Sequence, residues 1–242
     1  MIRFLFIPFL FLYLATSCKK ESGKIYSPTV PVTPVIPVDT NTGKTYLALG
    51  DSYTIGQSVP VSDRFPVQAA KYLTTQGIKF SDPEIIAQTG WTTANLLNSI
   101  NVTAPLKPSY DIVTLLIGVN NQYQQRSQQE YADQFSTLLL KAIQYAGNNK
   151  NHVIVLSIPD YSVTPFASGS NKPQIALEID SFNLINKNIA AQKGVHYLDI
   201  TGFSRLVAND PTLIASDELH PSGFQYNLWA NGLVPVVKNA LQ

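Results

Sequence analysis

Two segments, "DIVTLLIG" from Asp111 to Gly118 and "HVIVLSIP" from His152 to Pro159, are almost unbroken runs of β-branched residues and leucine. A strand with one face in water alternates apolar with polar side chains. A run without alternation belongs to a strand covered on both faces. Such strands occur where a parallel sheet lies between two layers of helices, and the sequence around these runs does alternate short apolar stretches with longer amphipathic ones. Strands are expected at Thr45–Leu49, Glu84–Ala87, Asp111–Ile117, His152–Ser157 and His196–Leu198. Helices are expected at Arg64–Gln76, Thr93–Asn101, Gln128–Tyr145, Pro173–Gln192 and Pro221–Leu241. Together they describe one three-layer α/β domain over residues 44–242, a parallel five-stranded sheet flanked by helices. With 45% hydrophobic and 14% charged residues the chain can fill such a core.

The preceding residues read differently. "MIRFLFIPFLFLYLATSCKK" has Arg3, an apolar run from Phe4 to Ala15 and small residues ending at Cys18. Spanning a bilayer takes about 20 apolar residues. This shorter run, carrying Pro8, fits a signal peptide over residues 1–17, and Leu14–Cys18 resembles a bacterial lipoprotein signal in which the cysteine is acylated. Cys18 is the only cysteine, so no intrachain disulfide is available and lipidation accounts for an odd thiol in an exported chain. Removing residues 1–17 takes away Arg3 and no acid, leaving 16 basic and 16 acidic residues, so a lipid and not a basic patch is expected to hold the protein to a bacterial membrane or cell surface. Residues 18–43, with prolines at 28, 31, 34 and 37 among Val and Thr, are expected to form an extended linker. No Lys/Arg run is interleaved with aromatics, so nucleic acid is not an expected partner.

Binding groups of an open parallel sheet gather beyond the carboxyl ends of its strands. Here the first strand ends in Gly50-Asp51-Ser52, the second is followed by Thr89-Gly90-Trp91, and the third ends in Gly118-Val119-Asn120-Asn121; Asp217-Glu218-Leu219-His220 precedes the last helix. These residue types suit acyl transfer. A serine hydroxyl becomes a nucleophile when an imidazole takes its proton, and the imidazole needs a carboxylate on its other nitrogen. Ser52, His220 and Asp217 supply those parts, the i to i+3 spacing letting the carboxylate reach the ring. Backbone N–H groups of Ser52 and Gly90 and the side-chain amide of Asn120 suit an oxyanion hole, and the missing Cβ of Gly90 would allow close approach of substrate.

These four blocks resemble the SGNH, or GDSL, hydrolase superfamily: "GDSYT" matches block I, Gly90 in "QTGWTT" block II, Gly118-x-Asn120 block III and "DELHPSG" block V, in family order from about Tyr46 to Leu241. The resemblance implies a flavodoxin-like sheet and metal-free ester hydrolysis through an acyl-enzyme, with no cofactor. One departure is Asn121, which stands where the family usually has Asp. Another is the fourth letter of GDSY, which carries no chemistry.

Plainer roles compete for several residues. Ser52 alone would read as a helix cap or turn serine, and Asp217 as a cap for the helix after Pro221, a role compatible with orienting His220. Asp51 is expected to brace the loop, because a carboxylate aimed at the reaction centre would repel an oxyanion. His152 and His196 lie far from the blocks, and no two of the three histidines stand at ligand spacing, so no metal site is expected. Trp91, Asn121 and Tyr123 adjoin the oxyanion residues and are expected to face substrate; Trp229 is expected in the core, and residues 158–173 to form a loop over the site. The resulting expectation is a serine esterase for small acyl esters, including acetyl groups on carbohydrate. A lysophospholipase or thioesterase, and an inactive lipid-anchored binding module, are the alternatives. Oligomeric state is not legible.

Overall fold

The structure, a computed structural model, describes residues 43–242. The expected signal peptide, Cys18 and the Pro-rich linker through residue 42 lie outside the described residues. Five strands form the sheet: β1 (Tyr46–Asp51), β2 (Glu84–Gln88), β3 (Ile112–Leu116), β4 (Val153–Leu156) and β5 (His196–Leu198). All neighbours are parallel, in the order β2-β1-β3-β4-β5. This is the flavodoxin-like order, in which the chain reverses direction across the sheet between β1 and β3.

The burial of each strand follows from its place. Every residue of β1, β3 and β4 is buried, as their unbroken apolar runs require, whereas the outer strands β2 and β5 are largely half-buried. Eight helices connect them: α1 (Ser52–Ile55), α2 (Phe65–Thr75), α3 (Thr93–Val102), α4 (Val119–Tyr123), α5 (Gln128–Tyr145), α6 (Lys172–Lys193), α7 (Thr201–Arg205) and α8 (Gly223–Ala240). α2 packs on α8, while α5 packs on both α3 and α6, giving a helical layer on each side of the sheet. The five long helices fall within two residues of their expected bounds. The sequence pattern gives no sign of α1, α4 or α7, because a single turn of four or five residues is too short to develop a 3.6-residue apolar period.

Two of those unforeseen turns carry Ser52 and Asn120, two of the residues singled out in the sequence. α1 begins at the end of β1 and α4 just after β3, so both stand at the crevice between the two strands where the sheet order reverses. Gly50 is required by packing: a Cβ there would lie 2.5 Å from the Leu116 carbonyl oxygen and 2.1 Å from Thr54 Oγ1. The glycine lets β1, β3 and α1 converge closely enough to seat both turns at one point.

Candidate active site

Ser52 is the first residue of α1, and the cap of that turn is Asp51, whose Oδ1 accepts the Tyr53 N–H at 3.0 Å. The capping oxygen is therefore not the Ser52 hydroxyl, which lines a cavity together with Tyr53, Val119, Asn120, Tyr123, Tyr161, Phe166, Leu219 and His220. Asp51 acts as the loop brace the sequence suggested. It is completely buried, its Oδ2 has no hydrogen-bond partner, and burial pushes its carboxyl up to about 7 despite the hydrogen bond from Tyr53.

The raised carboxyl has a consequence for stability. Between about pH 4 and 7 folded Asp51 keeps a proton that the unfolded chain has lost, so its contribution is greatest at acid pH and declines as pH rises through about 7. Asp51→Asn carries no such penalty. Urea unfolding should find the variant gaining on the wild type by roughly a few kcal/mol between pH 4.5 and 7.5; an equal difference at both pH values would refute the protonated carboxyl.

The second half of the site comes from the segment before α8. Ile214 and Pro221 form an antiparallel bridge, closed by the Ala215 N–H to His220 carbonyl bond at 2.8 Å, and Glu218 takes a left-handed φ of 62°. Inside this loop Asp217 Oδ1 accepts the N–H groups of Leu219 (3.1 Å) and His220 (2.9 Å), which fixes the carboxylate. Its Oδ2 then lies 2.6 Å from His220 Nδ1 and accepts the Ser58 hydroxyl, also at 2.6 Å. Partial burial would raise the Asp217 carboxyl, but the bonds from Ser58, His220 and Leu219 outweigh it and hold it at about 2. An ionised carboxylate keeps the imidazole proton on Nδ1 and leaves Nε2 to accept. The ring of Tyr53, 5.0 Å from that of His220 between centroids, packs against the buried imidazole.

Asn120 lies on α4 and lines the same cavity. Its Nδ2 donates to the Trp91 carbonyl at 2.9 Å, tying α4 to the loop after β2. That loop carries Gly90, two residues beyond Gln88, which pairs with Asp51 at the end of β1; Gly90 itself is not among the cavity's lining residues. A Cβ at Gly90 would meet no protein atom, and it is the left-handed φ of +81° that favours glycine.

Trp91 and Asn121 are set differently from the expectation that they face substrate. Trp91 is half-buried against the core and is not among the cavity's lining residues, and its carbonyl accepts from Asn120. Asn121, one residue round the α4 turn from Asn120, is fully buried; its Oδ1 accepts the Thr93 N–H at 2.9 Å and its Nδ2 donates to Thr93 Oγ1 at 2.7 Å. Thr93 Oγ1 itself donates to Gln134, which leaves its lone pairs to accept from residue 121. An amide supplies acceptor and donor together, and Asn121 uses both on Thr93. Tyr123 does line the cavity, and Trp229 is fully buried in the core.

The loop over the site is also observed. Tyr161 and Phe166 sit on two short 3₁₀ turns (Tyr161–Val163 and Pro165–Ala167), and the Phe166 N–H donates to the Glu218 carbonyl at 3.1 Å, joining this loop to the one that carries His220. Among the described residues no group of three or more His, Cys, Asp or Glu side chains gathers in a way that could hold a metal ion, and no helix is long and apolar enough to cross a membrane.

Residues 48–228 match the model of the GDSL-like lipase/acylhydrolase family. The chain belongs to that family. Among solved structures, Axe2, an acetylxylan esterase from Geobacillus stearothermophilus, is similar over 81% of this chain and 94% of its own, with 18% identity and a TM-score of 0.63. TesA is similar over 82% of this chain and all of its own, at 19% identity and a TM-score of 0.64. A lipase/acylhydrolase from Enterococcus faecalis is similar over 82% and 97%, at 19% and 0.63. No match was found among curated proteins. A GDSL-like acylhydrolase is a serine ester hydrolase, and of the block residues Ser52, Asn120 and His220 line one cavity.

Proposed function

We propose that the protein hydrolyses short-chain acyl esters, acetyl groups on carbohydrate among them, by a serine mechanism. The observation that carries this reading is one cavity that holds Ser52, Asn120 and His220, with His220 braced by Asp217. His220 Nε2 takes the Ser52 proton as Oγ bonds to the ester carbonyl carbon. The carbonyl oxygen becomes an oxyanion beside the Ser52 and Gly90 N–H groups and the Asn120 amide. The C–O bond to the alcohol then breaks, the imidazolium returns its proton to the leaving oxygen, and an acyl-Ser52 ester remains. Water repeats the sequence, giving up one proton to His220 and releasing the acid.

Cavity size supports a short acyl group. Its volume is about 110 Å³, well under the roughly 300–1,000 Å³ of sites that enclose a drug-sized ligand. At its rim Tyr123 and Phe166 are 57% and 44% exposed and form with Tyr161 a cluster of rings 6.1–6.3 Å apart. Exposed rings of this kind suit the flat C–H face of a sugar on the alcohol side of the ester. With p-nitrophenyl esters, kcat/KM should be highest from acetate to butyrate and at least about tenfold lower at octanoate, each lost methylene contact or added clash being worth about 1–3 kcal/mol. A maximum at octanoate or longer would favour lysophospholipase or thioesterase action, and no turnover of any ester would favour a binding module.

The sequence from Leu14 to Cys18 supports attachment to a bacterial membrane through an acylated Cys18. Mass spectrometry of the membrane fraction should find the lipidated cysteine at the mature N-terminus, with Cys18→Ala released or left unprocessed. Membrane association that persists in that variant would refute the anchor.

A further inference from the structure

The three residues after α1 join Ser52 to two parts of the site that come from distant stretches of chain. Gly56 turns the chain with a φ of 68°, and the N–H groups of Gly56 and Gln57 both return to the Ser52 carbonyl. Gln57 Oε1 accepts the Thr89 hydroxyl at 2.6 Å, one residue before Gly90. Ser58 donates to Asp217 Oδ2, 159 residues away, at 2.6 Å. To do so Ser58 adopts a φ of 66°, a left-handed conformation uncommon for a residue with a Cβ. A turn alone would be served better by glycine, so the side chain has a reason to be there.

We propose that Ser58 is a positioning residue for the acid–base pair, its hydroxyl holding Asp217 and thereby His220 in register with Ser52. The inference rests on the hydrolase reading above. Asp217 accepts two backbone N–H groups at Oδ1, and at Oδ2 both the His220 ring and the Ser58 hydroxyl, which fills the roughly four acceptor positions of a carboxylate. Three of those four bonds lie within the 217–220 loop and would move with it. The Ser58 bond is the one that leaves the loop, and it runs to the turn that begins at the nucleophile. Ser58 is exposed, so water competes for Oδ2 when the hydroxyl is removed, and the expected loss is moderate.

Ser58→Ala and Ser58→Gly should each lower kcat on p-nitrophenyl acetate, and the rate at which a fluorophosphonate labels Ser52, by about tenfold with KM within about twofold, as expected for a contact that serves the transition state. In an Asp217→Ala background Ser58→Ala should change kcat by less than about twofold, because the partner of the bond is already gone. Glycine separates the two possible roles, since it adopts the left-handed turn freely but has no hydroxyl. Ser58→Gly as fast as an active wild type would overturn the role of Ser58 alone, as would an undiminished effect of Ser58→Ala without Asp217. A wild-type protein that neither hydrolyses the ester nor takes the label would overturn this inference together with the hydrolase reading.

Discussion

Ser52→Ala is expected to lower kcat on a short acyl ester by about 10⁴–10⁶-fold while the protein stays folded. The size of the effect comes from losing the covalent route altogether. Without Oγ the enzyme can offer only an oriented ester, an oxyanion hole and a base for direct attack by water, and such remnants retain about 10³–10⁴ over the uncatalysed rate. Stability should barely change. Ser52 is 4% exposed, and the cap of α1 and the neighbouring strand bonds come from Asp51 and the backbone, so the thermal midpoint should move by less than about 3 °C. Steady-state rates, a melting curve and intact-mass analysis after treatment with a fluorophosphonate test this together. One label on the wild type and none on the variant is the expected result. Stoichiometric labelling of another serine, or a variant with more than about a hundredth of the wild-type rate, would remove Ser52 from the nucleophile's role.

Asn120→Ala is expected to cost about 10²–10³ in kcat with a smaller change in KM, the usual loss of about 3–4 kcal/mol when one oxyanion donor is removed. The amide has two hydrogens, one of which is committed to the Trp91 carbonyl at 2.9 Å. The other is available to charge that develops in the cavity. Truncation therefore removes a donor and also unties the loop that carries Gly90, and Asn120→Asp distinguishes these losses. Aspartate preserves the shape but places a negative charge beside the oxyanion, so it should be slower than alanine. An aspartate variant as fast as wild type would assign Asn120 to loop-holding alone. Equal kcat in all three proteins would remove it from the site.

The layered α/β class, the positions of the five long helices and the four chemical blocks were legible in the order of residues because each depends on local pattern. Unbroken apolar runs at 111–118 and 152–159 report strands covered on both faces. The Asp217–His220 pair was also legible, since its geometry is made within one turn of chain, by carboxylate bonds to N–H groups two and three residues on. What only the tertiary structure decided are the relations between segments. Ser58 meets Asp217 across 159 residues, and nothing in "GQSVP" marks a hydroxyl that will reach the end of the domain. Trp91 and Asn121 adjoin Gly90 and Asn120 in sequence yet pack on the core and on Thr93, because successive side chains on a turn or short helix point in different directions. Adjacency along the chain thus located the crevice between β1 and β3, and the packing of α3, α4 and the 158–173 loop determined which neighbouring side chains face it.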